Sequence, residues 1–118
     1  MRGEEMIVLL LSTFPDRDAA ITAVRTLVEK RLVACGNIVP GVESIYRWQG
    51  SVETSAEVMV IFKTTADSAE AAQARLRELH PYEVPEILQL PVDAGWAPYL
   101  DWVRDSTSSP RTTPRESA

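Results

Sequence analysis

One cysteine and one histidine are the only soft or borderline metal ligands of their kind in 118 residues. A lone Cys35 cannot close an internal disulfide, and no paired spacing builds a structural zinc site. This usage fits a reducing compartment and leads us to expect a cytoplasmic protein. Basic charge is also scarce: twelve Lys and Arg stand against seventeen Asp and Glu, a net charge of −5. Nothing supplies the positive footprint that a phosphate backbone demands, so nucleic acid is not an expected partner and cations are the more natural one. Long apolar runs are missing. The opening one, Met6 to Leu11, is too short to span a membrane and lacks the basic flank of an export signal, so neither a membrane nor export is expected. There is no glycine-rich phosphate loop and no nucleophile beside a base, which argues against an enzyme.

What is present describes one ordinary globular core, with 45% hydrophobic and 25% charged residues. Met6 to Thr13 reads as a central strand, apolar on both faces. Asp16 can cap a helix whose apolar positions Ala20, Ile21, Val24, Leu27, Val28 and Leu32 follow the 3.6-residue period. Val33 to Trp48 is extended, broken by Pro40-Gly41 as at an edge or a bulge. Gln49-Gly50 turns the chain into a third strand near Val52 to Thr65, again central. Asp67 to Glu70 has capping-box spacing, and the helix it opens ends at His80-Pro81. Glu86 to Val92 is the fourth strand, and Trp96 to Arg104 a last short helix with Pro98 in its first turn.

The order β-α-β-β-α-β plus one helix is the split βαβ pattern of an α+β, ferredoxin-like sandwich. Residues 6–104 form that domain, 1–5 an N-terminal extension, and 105–118 a tail too polar to order itself. The hairpin is too long for the body: sixteen residues from Val33 to Trp48 would reach roughly 50 Å, against a radius of gyration of about 13 Å for a 100-residue domain. It must bend or project, and a projecting ribbon tipped with Tyr46 and Trp48 needs a cover. Oligomerisation is the expected cover.

Five segments carry a resemblance. They are Ala34-Cys35-Gly36-Asn37-Ile38-Val39-Pro40-Gly41, Ser44 to Gly50, Glu57 to Thr65, His80-Pro81-Tyr82-Glu83-Val84-Pro85-Glu86, and Tyr99-Leu100-Asp101-Trp102. In this order they resemble the CutA divalent-cation tolerance family. The resemblance implies a homotrimer of ferredoxin-like subunits, PII-like in architecture, with strand edges joining subunits and helices outside. It also implies tolerance of copper and other divalent cations. Ser12 stands where some members carry Cys, and Leu79 where some carry a second His.

Candidate residues each admit a plainer role. His80 could ligate a borderline metal, Cu²⁺ first and Zn²⁺ next, with Glu83 beside it, or it could simply end a helix. Cys35 could be a soft ligand or a small buried hydrophobe. Glu57, with Glu53, Glu83 and Glu86, could gather around a cation or pair with Lys63, Arg47 or Arg31; Lys63 is the expected partner of Glu57. Tyr46, Trp48, Tyr82 and Trp102 suit a trimer interface or a pocket within it. Two rivals remain: a PII-like signalling or scaffold module binding a small ligand at the subunit cleft, and an enzyme completed in the trimer from Lys63, Tyr82 and His80.

Overall fold

The computed structural model describes residues 5–107. Along it run β1 (Ile7–Phe14), α1 (Arg17–Glu29), β2 (Cys35–Trp48), β3 (Ser51–Thr65), α2 (Ala66–Leu79), β4 (Leu88–Pro91) and α3 (Ala97–Ser106). The sheet order is β2-β3-β1-β4, every neighbouring pair antiparallel, so β1 and β3 are central as their apolar runs require. No helix among the described residues is long and apolar enough to cross a membrane.

Period-two alternation divides the sheet into two unlike faces. Leu10 and Phe14 of β1, with Val58, Val60 and Phe62 of β3, point at α1 and α2 and pack on Ala20, Ala23, Leu27, Ala72 and Leu76. The small residues of the helices let them lie close against the large ones of the sheet. Leu9 and Leu11 point the other way, in register with Lys63 and Ile61 on one side and Leu90 and Leu88 on the other. Only one end of this second face is covered. There Ile7 and Ala34 pack with Val103 of α3, while Val39, Leu88 and Leu90 stay exposed.

Asp16 accepts from the backbone N–H of Ala19 at 2.9 Å, capping α1 as its position suggests. The cap of α2 differs from expectation. Thr65, the last residue of β3, accepts from the N–H of Ser68, because the strand passes straight into the helix and leaves no room for a cap at Asp67. β4 is shorter than Glu86 to Val92, although the N–H of Val92 still reaches the carbonyl of Ile7.

The hairpin projects. β2 and β3 are 14 and 15 residues long, whereas β1 pairs with β3 only from Ile7↔Thr65 to Phe14↔Val58. The molecule measures 55 × 27 × 22 Å with a radius of gyration of 15.6 Å. Pro40-Gly41 forms the bulge, a register shift between Val39 and Val42, with Gly41 at φ 79°. Gln49 and Gly50 close the hairpin with φ of 50° and 84°, the paired positive values of a type I′ turn.

At the other end the boundary expected at Asp105 moves. α3 continues to Ser106, Arg31 donates to the Asp105 carbonyl at 2.8 Å, and Thr107 is buried with its hydroxyl on the Val103 carbonyl at 3.2 Å. The expected tail from 108 onward lies outside the described residues, as do 1–4 of the N-terminal extension. A chain ending at Arg104 is therefore expected to be less stable than one ending at Thr107, by about 1–3 kcal/mol for the hydrogen bonds and packing lost. Urea denaturation of the two chains measures the difference; equal midpoints would mean that Asp105 to Thr107 contribute nothing.

Candidate functional site

β1 ends at Phe14, and the segment after α2 folds back over that end. His80 stacks on Phe14, ring centroids 4.3 Å apart and planes 16° apart. Its Nε2 lies 2.9 Å from the carbonyl oxygen of Thr13 and 3.2 Å from the hydroxyl of Ser12. Its Nδ1 accepts from the backbone N–H of Tyr82 at 3.1 Å. These partners select the neutral tautomer with the proton on Nε2, donating to Thr13. Burial, the largest influence, holds the His80 pKa below its usual value; the Thr13 bond and the Glu57 charge oppose it.

Tyr82 extends the chain of contacts. Its hydroxyl donates to Glu57 Oε2 at 2.6 Å, and Ser44 Oγ donates to Oε1 at 2.6 Å, so a half-buried carboxylate is satisfied by two hydroxyls from two other segments. Burial first, then the bond to Glu57 and the charges around it, pushes the Tyr82 phenol well above its ordinary range and keeps it a donor. Tyr46 of β2 completes the corner, its hydroxyl 3.4 Å from Ser55 Oγ.

The expected ion pair between Glu57 and Lys63 is replaced by this arrangement. Lys63 stands opposite Leu9 and Cys35, six residues further along β3, and donates to Asn37. At about 3.3 Å per residue that is roughly 20 Å away. Cys35 shares that distant end: half-buried, it lies 3.8 Å from the Tyr99 hydroxyl, beside the Tyr99–Trp102 ring pair. Glu83 is exposed, as are Glu53 and Glu86. His80, Glu57 and Tyr82 are therefore brought together, while Cys35, Lys63 and Trp102 are not part of their corner.

Trp48 is 56% exposed near the hairpin tip. A groove of about 440 Å³ along α2, lined by Ala66, Ala69, Glu70, Gln73, Arg77 and Gln89 among others, contains none of the candidate site residues. Sequence reasoning missed Ser44, Thr13 and Phe14, which reach the corner only through the sheet register. Ser44 lies opposite Ser55, two places from Glu57, and carries the one signal available: a small hydroxyl in a strand beside an acid.

The chain matches the family model described as CutA1 divalent ion tolerance protein over residues 8–106. It belongs to that family. A divalent-cation tolerance protein CutA from Thermus thermophilus is 48% identical over 99 residues, covering 84% of this chain and 96% of the relative. Human protein CutA is 44% identical over 97 residues, 82% of this chain and 54% of the human sequence. Among solved structures, the divalent cation tolerance protein of Thermus thermophilus superposes with a TM-score of 0.85 at 47% identity, covering 87% of this chain and all of that one. CutA1 from Oryza sativa also gives 0.85, at 36% identity and with 87% and 94% coverage. The α+β fold is thus that of CutA1 structures.

The donor set of this CutA1 chain does not by itself fit a resident copper or zinc ion. No group of three or more His, Cys, Asp or Glu capable of holding a metal occurs among the described residues. Both nitrogens of His80 and both oxygens of Glu57 are already engaged.

The depressed His80 pKa has a sign that can be tested. Below about 6.5 the unfolded chain binds a proton that the folded chain refuses. This contribution is full above that pH and is lost as pH falls toward the lower folded value. Urea stability should therefore decline on acidification through this window in the wild type, and His80→Asn should lack that component. Parallel pH profiles for the two proteins would refute it.

Proposed function

We propose that the chain acts in divalent-cation tolerance as a non-enzymatic, cytoplasmic homotrimer of PII-like architecture. On this reading it binds cations where its copies meet, copper being the first ion to test and zinc the next. The observation that carries this reading is the uncovered second face of the sheet. Val39, Leu88 and Leu90 are exposed on it, and the projecting ribbon adds Ile45, Trp48 and Val52. Apolar surface in that amount on one small chain marks an association surface, and β2 and β4 each offer an unpaired edge.

Two further points support it. Within one chain Lys63 lies at the far end of β3 from the corner that holds Tyr82 and His80, so those three residues form no nucleophile-base set by themselves. The carboxylates of Glu53, Glu83 and Glu86 are exposed on an acidic chain, and several copies would multiply them around a cation. Glu83 is the foremost candidate ligand, because His80 and Glu57 would first have to surrender hydrogen bonds.

Light scattering at micromolar concentration is expected to return three times the 13.1 kDa of one chain; a single-chain mass would refute the trimer. In calorimetric titrations of metal-free protein with Cu²⁺ and Zn²⁺, His80→Ala should keep its affinity while Glu83→Gln weakens binding. Loss of binding in His80→Ala alone would place the imidazole in the site. Thermal shifts with nucleotides and none with cations would favour the small-ligand module instead.

A further inference from the structure

Past Phe14↔Val58, β3 loses its β1 neighbour and continues from Glu57 to Ser51 with β2 alone at its side. The bulge between Val39 and Val42 interrupts the β2–β3 ladder at this same level. A two-stranded ribbon leaving a sheet through a bulge has lost the regular ladder that would set its direction. Something else must hold it, and one residue is placed to do so.

Glu57 is the first residue of β3 beyond the last β1 pair. Its two oxygens reach two different segments, Ser44 of β2 above the bulge and Tyr82 of the segment that follows α2. Tyr82 is itself anchored: its N–H is held by His80, and His80 is fixed to β1 by the Thr13 carbonyl and the Phe14 ring. An unbroken path of short contacts therefore runs from the end of β1 to both strands of the ribbon.

We infer that Glu57, tied by Tyr82 and Ser44, is the pivot that sets the angle at which the hairpin leaves the domain. In this role Glu57 and Tyr82 are positioning residues. The inference deepens the trimer reading and rests on it in one respect: a ribbon that must meet another copy needs a defined direction. Each charge-assisted hydrogen bond to the carboxylate is stronger than a neutral one, and the half-buried setting shields both from water. Losing the phenol leaves the ribbon hinged at the bulge.

The test compares wild type, Tyr82→Phe, Glu57→Gln and Glu57→Ala by amide hydrogen exchange resolved along the chain, with mass measured in parallel. Tyr82→Phe keeps the ring and the backbone bond to His80, so it should fold. Its hairpin amides, residues 42–57, should exchange about tenfold faster, the effect of one hydrogen bond, while those of β1 stay as they were. Its trimer should also dissociate at higher protein concentration than the wild type. Glu57→Gln retains an acceptor for the phenol and should restore most of the protection that Glu57→Ala loses.

Unchanged hairpin exchange in Tyr82→Phe, or faster exchange spread evenly over all strands, would overturn the pivot. So would Glu57→Gln behaving like Glu57→Ala. A wild type of single-chain mass would instead overturn the trimer reading, and the hairpin comparison can be made on either form.

Discussion

A sheet has two faces, and this chain has helices enough to cover only one of them fully. α1 and α2 bury Leu10, Phe14, Val58, Val60 and Phe62, whereas α3 shields only the Ile7 and Ala34 end of the opposite face. Burial of apolar area is the main favourable term in folding and association alike, at about 25 cal/mol per Å². The uncovered leucines of β1 and β4 therefore leave the chain with a driving force that folding alone does not spend. The exposed strand edges and the aromatic ribbon belong to the same condition, since each becomes tolerable only against another surface.

The corner at the end of β1 shows how a carboxylate can sit within a largely apolar strand without a cation. Two hydroxyl donors at 2.6 Å satisfy Glu57, and the neutral imidazole of His80 orients one of them through the backbone of Tyr82. Burial lowers the imidazole pKa against the opposing pull of the Thr13 bond and the Glu57 charge, whereas burial and the bond and charge of Glu57 act together to raise that of the phenol. The arrangement also separates the roles that the histidine and the cysteine were expected to share, because the register places Cys35 opposite Lys63 at the far end of β3.

Much of the fold was legible because its signals are local. The apolar runs of β1 and β3, the Asp16 cap, the Pro40-Gly41 bulge and the Gln49-Gly50 turn each depend on residues a few positions apart. The cap at Thr65 was hidden because β3 and α2 share it, and the end of α3 was hidden because Asp105 and Thr107 read as tail until Arg31 and Val103 are seen to hold them. The site was legible in membership but not in wiring. His80, Tyr82 and Glu57 stand out by type, yet the carbonyl that claims the imidazole lies 67 residues away, and no spacing rule connects them. The choice of hydroxyls over Lys63 as partners of Glu57 is likewise a matter of register.

The bulge at Pro40-Gly41 has a consequence for how this chain can vary over evolutionary time. Side chains alternate between faces with a period of two, so one inserted residue in an unbroken hairpin would invert everything beyond it. Here the extra residue is absorbed between the body and the ribbon, and the pairs from Val42↔Glu57 to Trp48↔Ser51 form a register block of their own. Lengthening or shortening the ribbon by matched pairs at its Gln49-Gly50 end would leave the packed sheet untouched. The reach of the arm is thus a trait that mutation can tune separately from the integrity of the domain that carries it.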